Sequence, residues 1–183
     1  EPKPAPPACR YDLPRLDVLR LQQLVRSGEN PCPDLETPKI VLDSHGVSVD
    51  GVVVVAPTEL PSGNPQNITS LFQSFEGRRR LWRELHPGAP FAPKVTFTAE
   101  PAADAVAGAS VIRSVAWSGF TKFHLVVGDA TVDFDSPTPR PPGAPEETDL
   151  VHVHTTGTMH DLAQSVAAQV GAGKHELSFE RGR

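Results

Sequence analysis

The sequence predicts an α+β domain: a small mixed sheet with two helices on one face, in the order β-β-α-β-α-β. A C-terminal β-α-β extension and an N-terminal disulfide-clasped helix complete it. Three observations carry this reading. "PKVTFTAEPAADAVAGASVIRSVAWSGFTKFHLVVGD", residues 93 to 129, runs strand, helix, strand. Val95, Phe97 and Ala99 alternate with Thr96, Thr98 and Glu100, the period-two pattern of a half-buried strand. Ala105, Ala109, Ile112 and Ala116 then fall on one helical face before Gly119, and Lys122 to Val127 resumes in extended form. The second observation is "KIVLDSHGVSVDGVVVVA", whose Asp50-Gly51 is a tight-turn signal between strands. The third is an echo of the first unit, "DLVHVHTTGTMHDLAQSVAAQVGAGKHELSFERG", with Leu162, Val166 and Val170 on its helix.

Three segments follow: residues 1–36, a Pro-rich tether and clasped helix; residues 37–130, the main domain; and residues 131–183, a Pro-rich loop and the extension. Twenty prolines are many for 183 residues, and they bunch in "EPKPAPPA" and "SPTPRPPGAPEE". Both stretches should be extended and solvated, because proline blocks helix and ladder alike. Between Cys9 and Cys32, Leu16, Val18, Leu19 and Leu24 give a short amphipathic helix ending near Gly28. Two cysteines bracketing one helix suit a disulfide in an oxidising compartment, a link that contributes about 3 kcal/mol in the chain-entropy model. Two unrelated free thiols are the alternative; two thiolates alone make a poor zinc site.

In the main domain, strands are expected at Lys39–Asp43, Val47–Val49 and Val52–Ala56. Asn64 is expected to cap a helix beginning at Pro65. That helix, running from Gln66 to about Leu85, places Ile68, Leu71, Phe72, Phe75, Trp82 and Leu85 on one stripe, and His86-Pro87-Gly88 ends it. Asn67-Ile68-Thr69 matches a glycosylation sequon but falls inside this helix.

The net charge of −5 argues against a general nucleic-acid binder, since phosphate binding needs clustered Lys and Arg. Arg78, Arg79, Arg80 and Arg83 are the exception, on and beside the helix's exposed face. They serve either as a solvated helix end favoured by the dipole or as a contact surface for an anionic partner. No catalytic, cofactor-binding or metal-binding residue is assigned. His152 and His154 point to one side of a strand and His160 follows, but no Asp, Glu or Cys completes a metal set, so no metal is expected there. Ser44 and His45 are adjacent and cannot form a nucleophile–base pair without a special turn. Glu100 and Asp104 flank a strand-to-helix turn, where acids favour the helix start. The chain is therefore expected to bind and not to catalyse. No apolar run is long enough to span a bilayer, and a start at Glu1 on a proline-rich tether reads as a mature or trimmed fragment.

The element order, with "VTFTAEPAADAVAGASVIRSVAWSGFTKFHLVV" as its second half and "IVLDSHGVSVDG" as its paired first strands, resembles the periplasmic domain of the ExbD/TolR family. The likeness covers residues 39 to 129. Glu100 stands where the family usually has Asp, and the loops "PTELPSGNP" and "HPGAPFAP" are longer. The resemblance implies the folded domain of an inner-membrane motor subunit driven by the proton motive force. It also implies a homodimer, an ExbB/TolQ-like membrane subunit, and a TonB-like transducer or the cell wall as partner. The place would be the periplasm, tethered to the inner membrane. The family's functional acid lies in a transmembrane helix that this sequence does not contain, so no catalytic residue carries over. A secreted or periplasmic peptide- or glycan-binding module unrelated to a motor is the competing reading.

Binding is expected at sheet edges, which can pair with a twin chain or a partner strand. The strands carrying Lys122, Phe123, His124 and Leu125, and His175, Leu177 and Phe179, are the expected edges, because each closes its unit after a glycine stop.

Overall fold

The computed structural model describes residue 23, residues 26 and 27, and the spans 35–138 and 151–181. Cys9 and Cys32, with the disulfide and the helix expected between them, lie outside the described residues. Strands β1 (Lys39–Asp43), β2 (Gly46–Val49) and β3 (Val52–Val55) lead through a 3-10 turn at Pro57–Glu59 to helix α1 (Thr69–Leu85). Then come β4 (Lys94–Ala99), α2 (Ala105–Trp117), β5 (Lys122–Val127), β6 (Ala130–Asp135), β7 (Val151–Thr155), α3 (Met159–Gly171) and β8 (Leu177–Arg181).

The main sheet has six strands in the order β3-β2-β1-β4-β5-β6. β1, β4 and β5 are parallel neighbours, and β2, β3 and β6 run antiparallel to the strands they join. β7 and β8 form a separate parallel pair around α3. The expected class holds: a mixed α+β fold, with β6 added to the sheet; the described helices are α1, α2 and α3, and the expected N-terminal helix lies outside the described residues. β6 begins at Ala130, where the sequence placed a boundary, and its far end joins the C-terminal unit to the main sheet. Its link is direct: the Asp135 N–H donates to the His175 carbonyl at 2.7 Å, and the Phe134 and Phe179 rings lie 5.6 Å apart.

Alternation decides which face is inside. Ile40, Leu42, Val95, Phe97, Ala99, Phe123, Leu125, Val127 and Phe134 are all buried, while their neighbours along each strand are not. Helix α2 lies over this buried face, and 11 of its 13 residues are themselves buried, which leaves only Arg113 and Trp117 facing outward. Its Ala, Gly and Ser content permits such close approach. At Gly108 an added Cβ would sit 2.0 Å from the Met159 sulfur, so the absent side chain lets α3 close against α2.

Helix α1 starts later than expected, with Ile68 and not Asn64 at its N-cap, and no side chain caps it. The reason lies in α2. Ser110 Oγ accepts from the Gln66 N–H at 3.0 Å and Ser114 Oγ from the Ile68 N–H at 2.7 Å. These hydroxyls hold residues 66 to 68 outside the helix while donating to carbonyls four residues back in their own helix. Along α1, Leu71, Phe75, Trp82 and Leu85 are buried as the stripe predicts, and Phe72 is half-buried.

The Asp50-Gly51 turn forms as expected, with Asp50 at φ 49° and Gly51 at φ 83°. Both residues in the left-handed region define the turn type that matches strand twist. Asp50 does more than turn the chain. Its N–H donates to the Lys39 carbonyl at 2.8 Å, one carboxylate oxygen accepts from the Lys39 N–H at 3.0 Å, and the other meets the Arg78 guanidinium.

Candidate functional site

All three helices pack on one side of the main sheet, so its other side is uncovered among the described residues. Register builds this open face row by row. Val53, Ser48, Val41, Thr98, Val126 and Thr131 are successive partners across all six strands. They form an uncharged lane perpendicular to the strands, with Val41 37% and Val53 59% exposed. Below the lane the three parallel strands begin with Lys39, Lys94 and Lys122, all exposed. Above it the same strands end at Asp43, Glu100 and the turn residue Asp129. The face is thus basic at the start of its parallel strands and acidic at their ends.

The antiparallel strand β6 brings Asp133 and Asp135 to the lysine end. Lys94 lies 3.8 Å and Lys122 3.5 Å from these carboxylates, and His124 Nδ1 lies 2.7 Å from Asp133. Such exposed pairs contribute little stability each. Lys94, Lys122, Asp133, Asp135 and His175 line an open cleft of about 310 Å³ beside the stacked Phe123 and Phe134 rings.

The interaction edge expected at β5 must be corrected. β5 lies between β4 and β6, so Lys122, Phe123, His124 and Leu125 offer no free ladder. Phe123 and Leu125 are core residues; Lys122 and His124 belong to the open face. β8 belongs to a two-stranded sheet and pairs with β7 alone, so one side of it stays an edge, with a single bridge to β6 just before its start. Leu177 and Phe179 are buried, and of the three residues expected at that edge only His175 is exposed. A glycine stop followed by a strand marks the end of a crossover, and it carries no information on which strands come to flank it.

The arginine patch also changes. Arg78 is fully buried, its guanidinium held by Asp50 and lying 5.7 Å from the centre of the Phe75 ring. Arg79 is half-buried and donates to the Ser118 carbonyl at 3.3 Å, at the end of α2. Arg80 and Arg83 are the exposed pair that remains. Arg78 lies three residues after Phe75 and seven after Leu71, so helical periodicity places it on the apolar stripe. That was the available signal, and the run of three arginines from Arg78 to Arg80 obscured it.

Asp104 takes the structural role expected of it, capping α2 by accepting from the Val106 N–H at 2.6 Å. Ser44 and His45 sit in the β1–β2 turn, where Asp43 accepts from the His45 N–H at 2.8 Å. His152 and His160 are exposed on β7 and the first turn of α3. Among the described residues no cluster of three or more His, Cys, Asp or Glu could hold a metal ion. No described helix is long and apolar enough to cross a membrane. The site that sequence reasoning missed is the open face itself. Its signal was the alternation of residues 130 to 135 after Gly128-Asp129, which adds β6 and completes the rows.

Fold and surface together define an α+β domain that presents one face of a mixed six-stranded sheet. Comparison with protein-family models, curated proteins and solved structures finds no match for it.

Proposed function

We propose that the chain is the non-enzymatic folded domain of an ExbD/TolR-like motor subunit, placed in the periplasm and working by binding. The observation that carries this reading is the order β1, β2, α1, β4, α2, β5, with β1, β4 and β5 parallel and adjacent. This is the order on which the resemblance rests, and β3, β6 and the C-terminal unit are additions around it. In this reading a tether transmits displacement from a membrane helix upstream, and the domain grips a transducer or the cell wall while pairing with a twin. Arg80 and Arg83 remain as the part of the helix surface suited to an anionic partner. The test is made on the intact parent protein in its native membrane. Crosslinking from the domain should capture an ExbB/TolQ-like subunit and a periplasmic partner. A parent whose upstream segment is a cleaved signal, with no membrane helix, removes the motor and leaves the peptide- or glycan-binding module. The charged cleft at Lys94, Lys122 and His175 favours that second reading, because it pairs cations and carboxylates beside aromatic rings.

A further inference from the structure

The helix side of the domain carries a cationic corner of its own. Arg79 and Arg83, four residues apart, share one face of α1, and Arg113 and Trp117 share one face of α2. The two faces meet, because the Arg79 guanidinium donates to the Ser118 carbonyl at 3.3 Å, one residue after Trp117. The Arg113 guanidinium lies 5.8 Å from the centre of the Trp117 ring. Trp117 is 39% exposed, and no other large apolar side chain on the described helices is as open. Among the described residues no carboxylate pairs with Arg79, Arg83 or Arg113, whereas Lys94 and Lys122 on the sheet are already held by Asp133 and Asp135.

We propose that this corner docks on the anionic headgroups of a lipid bilayer. Two observations select a bilayer. The first is composition. An indole beside guanidiniums suits the membrane–water interface, where the ring sits at headgroup level and a guanidinium takes phosphate oxygens in pairs. The second is where the chain enters. Glu36 accepts from the Trp82 indole N–H, one residue before Arg83 on α1, and its carbonyl accepts from the Lys94 N–H at 2.8 Å. The chain therefore reaches β1 past the same corner, and whatever fastens it upstream draws on that side. The inference rests on the preceding reading for a membrane anchor there, and adds that the folded domain itself touches the lipid.

Charge sets the strength. Each guanidinium held near an anionic surface raises binding roughly fivefold. Helix α1 also exposes Glu76 and Glu84, and the whole chain carries −5, so the attraction is local. It acts within a Debye length, about 10 Å at 0.1 M salt, and fades as salt rises. Contact this weak does not gather a free domain onto a membrane from dilute solution. It suffices for a tethered one, because linkage turns docking into an intramolecular step.

The test mixes the 183-residue chain at low ionic strength with excess vesicles of phosphatidylcholine, with and without phosphatidylglycerol. Cosedimentation should rise with phosphatidylglycerol and fall with added salt. Tryptophan emission should shift to the blue on those vesicles, and Trp117→Phe should abolish the shift, because Trp82 is already buried. Arg83→Gln and Arg113→Gln should each lower the partition coefficient roughly fivefold. Arg113→Lys should keep most of the binding, since the charge remains. Circular dichroism checks that each variant is folded. Binding that ignores phosphatidylglycerol, or that both glutamine variants leave unchanged, overturns the proposal, as does no binding at all. A blue shift produced by polyglutamate and not by vesicles also overturns it, and assigns the corner to an acidic protein segment. The vesicles carry no motor subunit, so the lipid contact can fail while crosslinking of the parent succeeds, and the reverse.

Discussion

Two strand–helix–strand units of like sequence pattern end up in different positions, β4–α2–β5 at the centre of the molecule and β7–α3–β8 at its margin. Both helices have 13 residues, yet α2 buries 11 of them and α3 four. Both are right for their places. α2 is made of Ala, Val, Ser, Gly and one Ile, with one Arg and one Trp, so it can lie between neighbours on several sides. α3 carries His160, Asp161, Gln164 and Gln169 and presents a single stripe of Met159, Leu162, Ala163 and Val166. The starts differ too. Asp104 caps α2 by itself, whereas Thr158 and Asp161 cap α3 reciprocally, each accepting from the other's backbone N–H. Local pattern makes the unit; the polarity of the helix's far side decides how deep it sits.

The largest test of this contrast is truncation in the central unit. Phe97→Ala, at a fully buried position of β4, should cost about 3–5 kcal/mol and lower the urea midpoint of the whole domain. A loss below about 1.5 kcal/mol would place the core elsewhere. The joint between the units comes next. Gly108→Val should cost about 1–3 kcal/mol through collision with Met159. Combining it with Met159→Ala should recover part of that loss, a non-additivity expected only if the two units meet there. Simple addition of the two effects would separate them.

The smallest effect lies at the marginal helix. Thr158→Ala should cost about 1 kcal/mol, the ordinary value of an N-cap, with the change confined to amide exchange in α3 and its neighbours. The same motif gives a pH dependence. The Thr158 N–H, then its hydroxyl, holds the Asp161 carboxyl below the usual carboxylate range, with neighbouring His160 adding to the shift and slight desolvation opposing it. A lowered folded-state value means stability that is complete above the unfolded carboxylate range and lost as pH falls through the lower folded value. The stability difference between the native chain and Asp161→Asn should therefore persist at neutral pH and vanish in acid. A difference that grew toward acid would reverse the sign and exclude the capping role.

Much of the fold was legible because alternation and helical stripes are local. Ile40, Val95, Phe97, Phe123 and Leu125 are buried where period two puts them, and Asp50-Gly51 turns where the dipeptide says. What was not legible depends on partners far along the chain. Asn64 and Pro65 form a good cap signal, but Ser110 and Ser114 hold the following residues extended, and no local rule contains those serines. The place of β5 in the middle of the sheet depends on β6, which proline-rich surroundings concealed. The open face was half legible: the lysines and threonines along it alternate plainly, while the lane they flank exists only once the register of six strands is known.

The contact between Asp50 and Arg78 reaches beyond its own neighbourhood. By turn chemistry alone, Asn at position 50 would serve as well as Asp or better, since Asn-Gly is the strongest two-residue hairpin signal. The helix vetoes that choice, because Asn would withdraw the carboxylate that a buried guanidinium meets 28 positions later. Positions 50 and 78 are thus free to drift only as a couple: a chain exploring sequence space must change both at once, or cross a valley in which a charge is stranded. A hairpin corner and a helix face share a single heritable decision, taken at neither place alone.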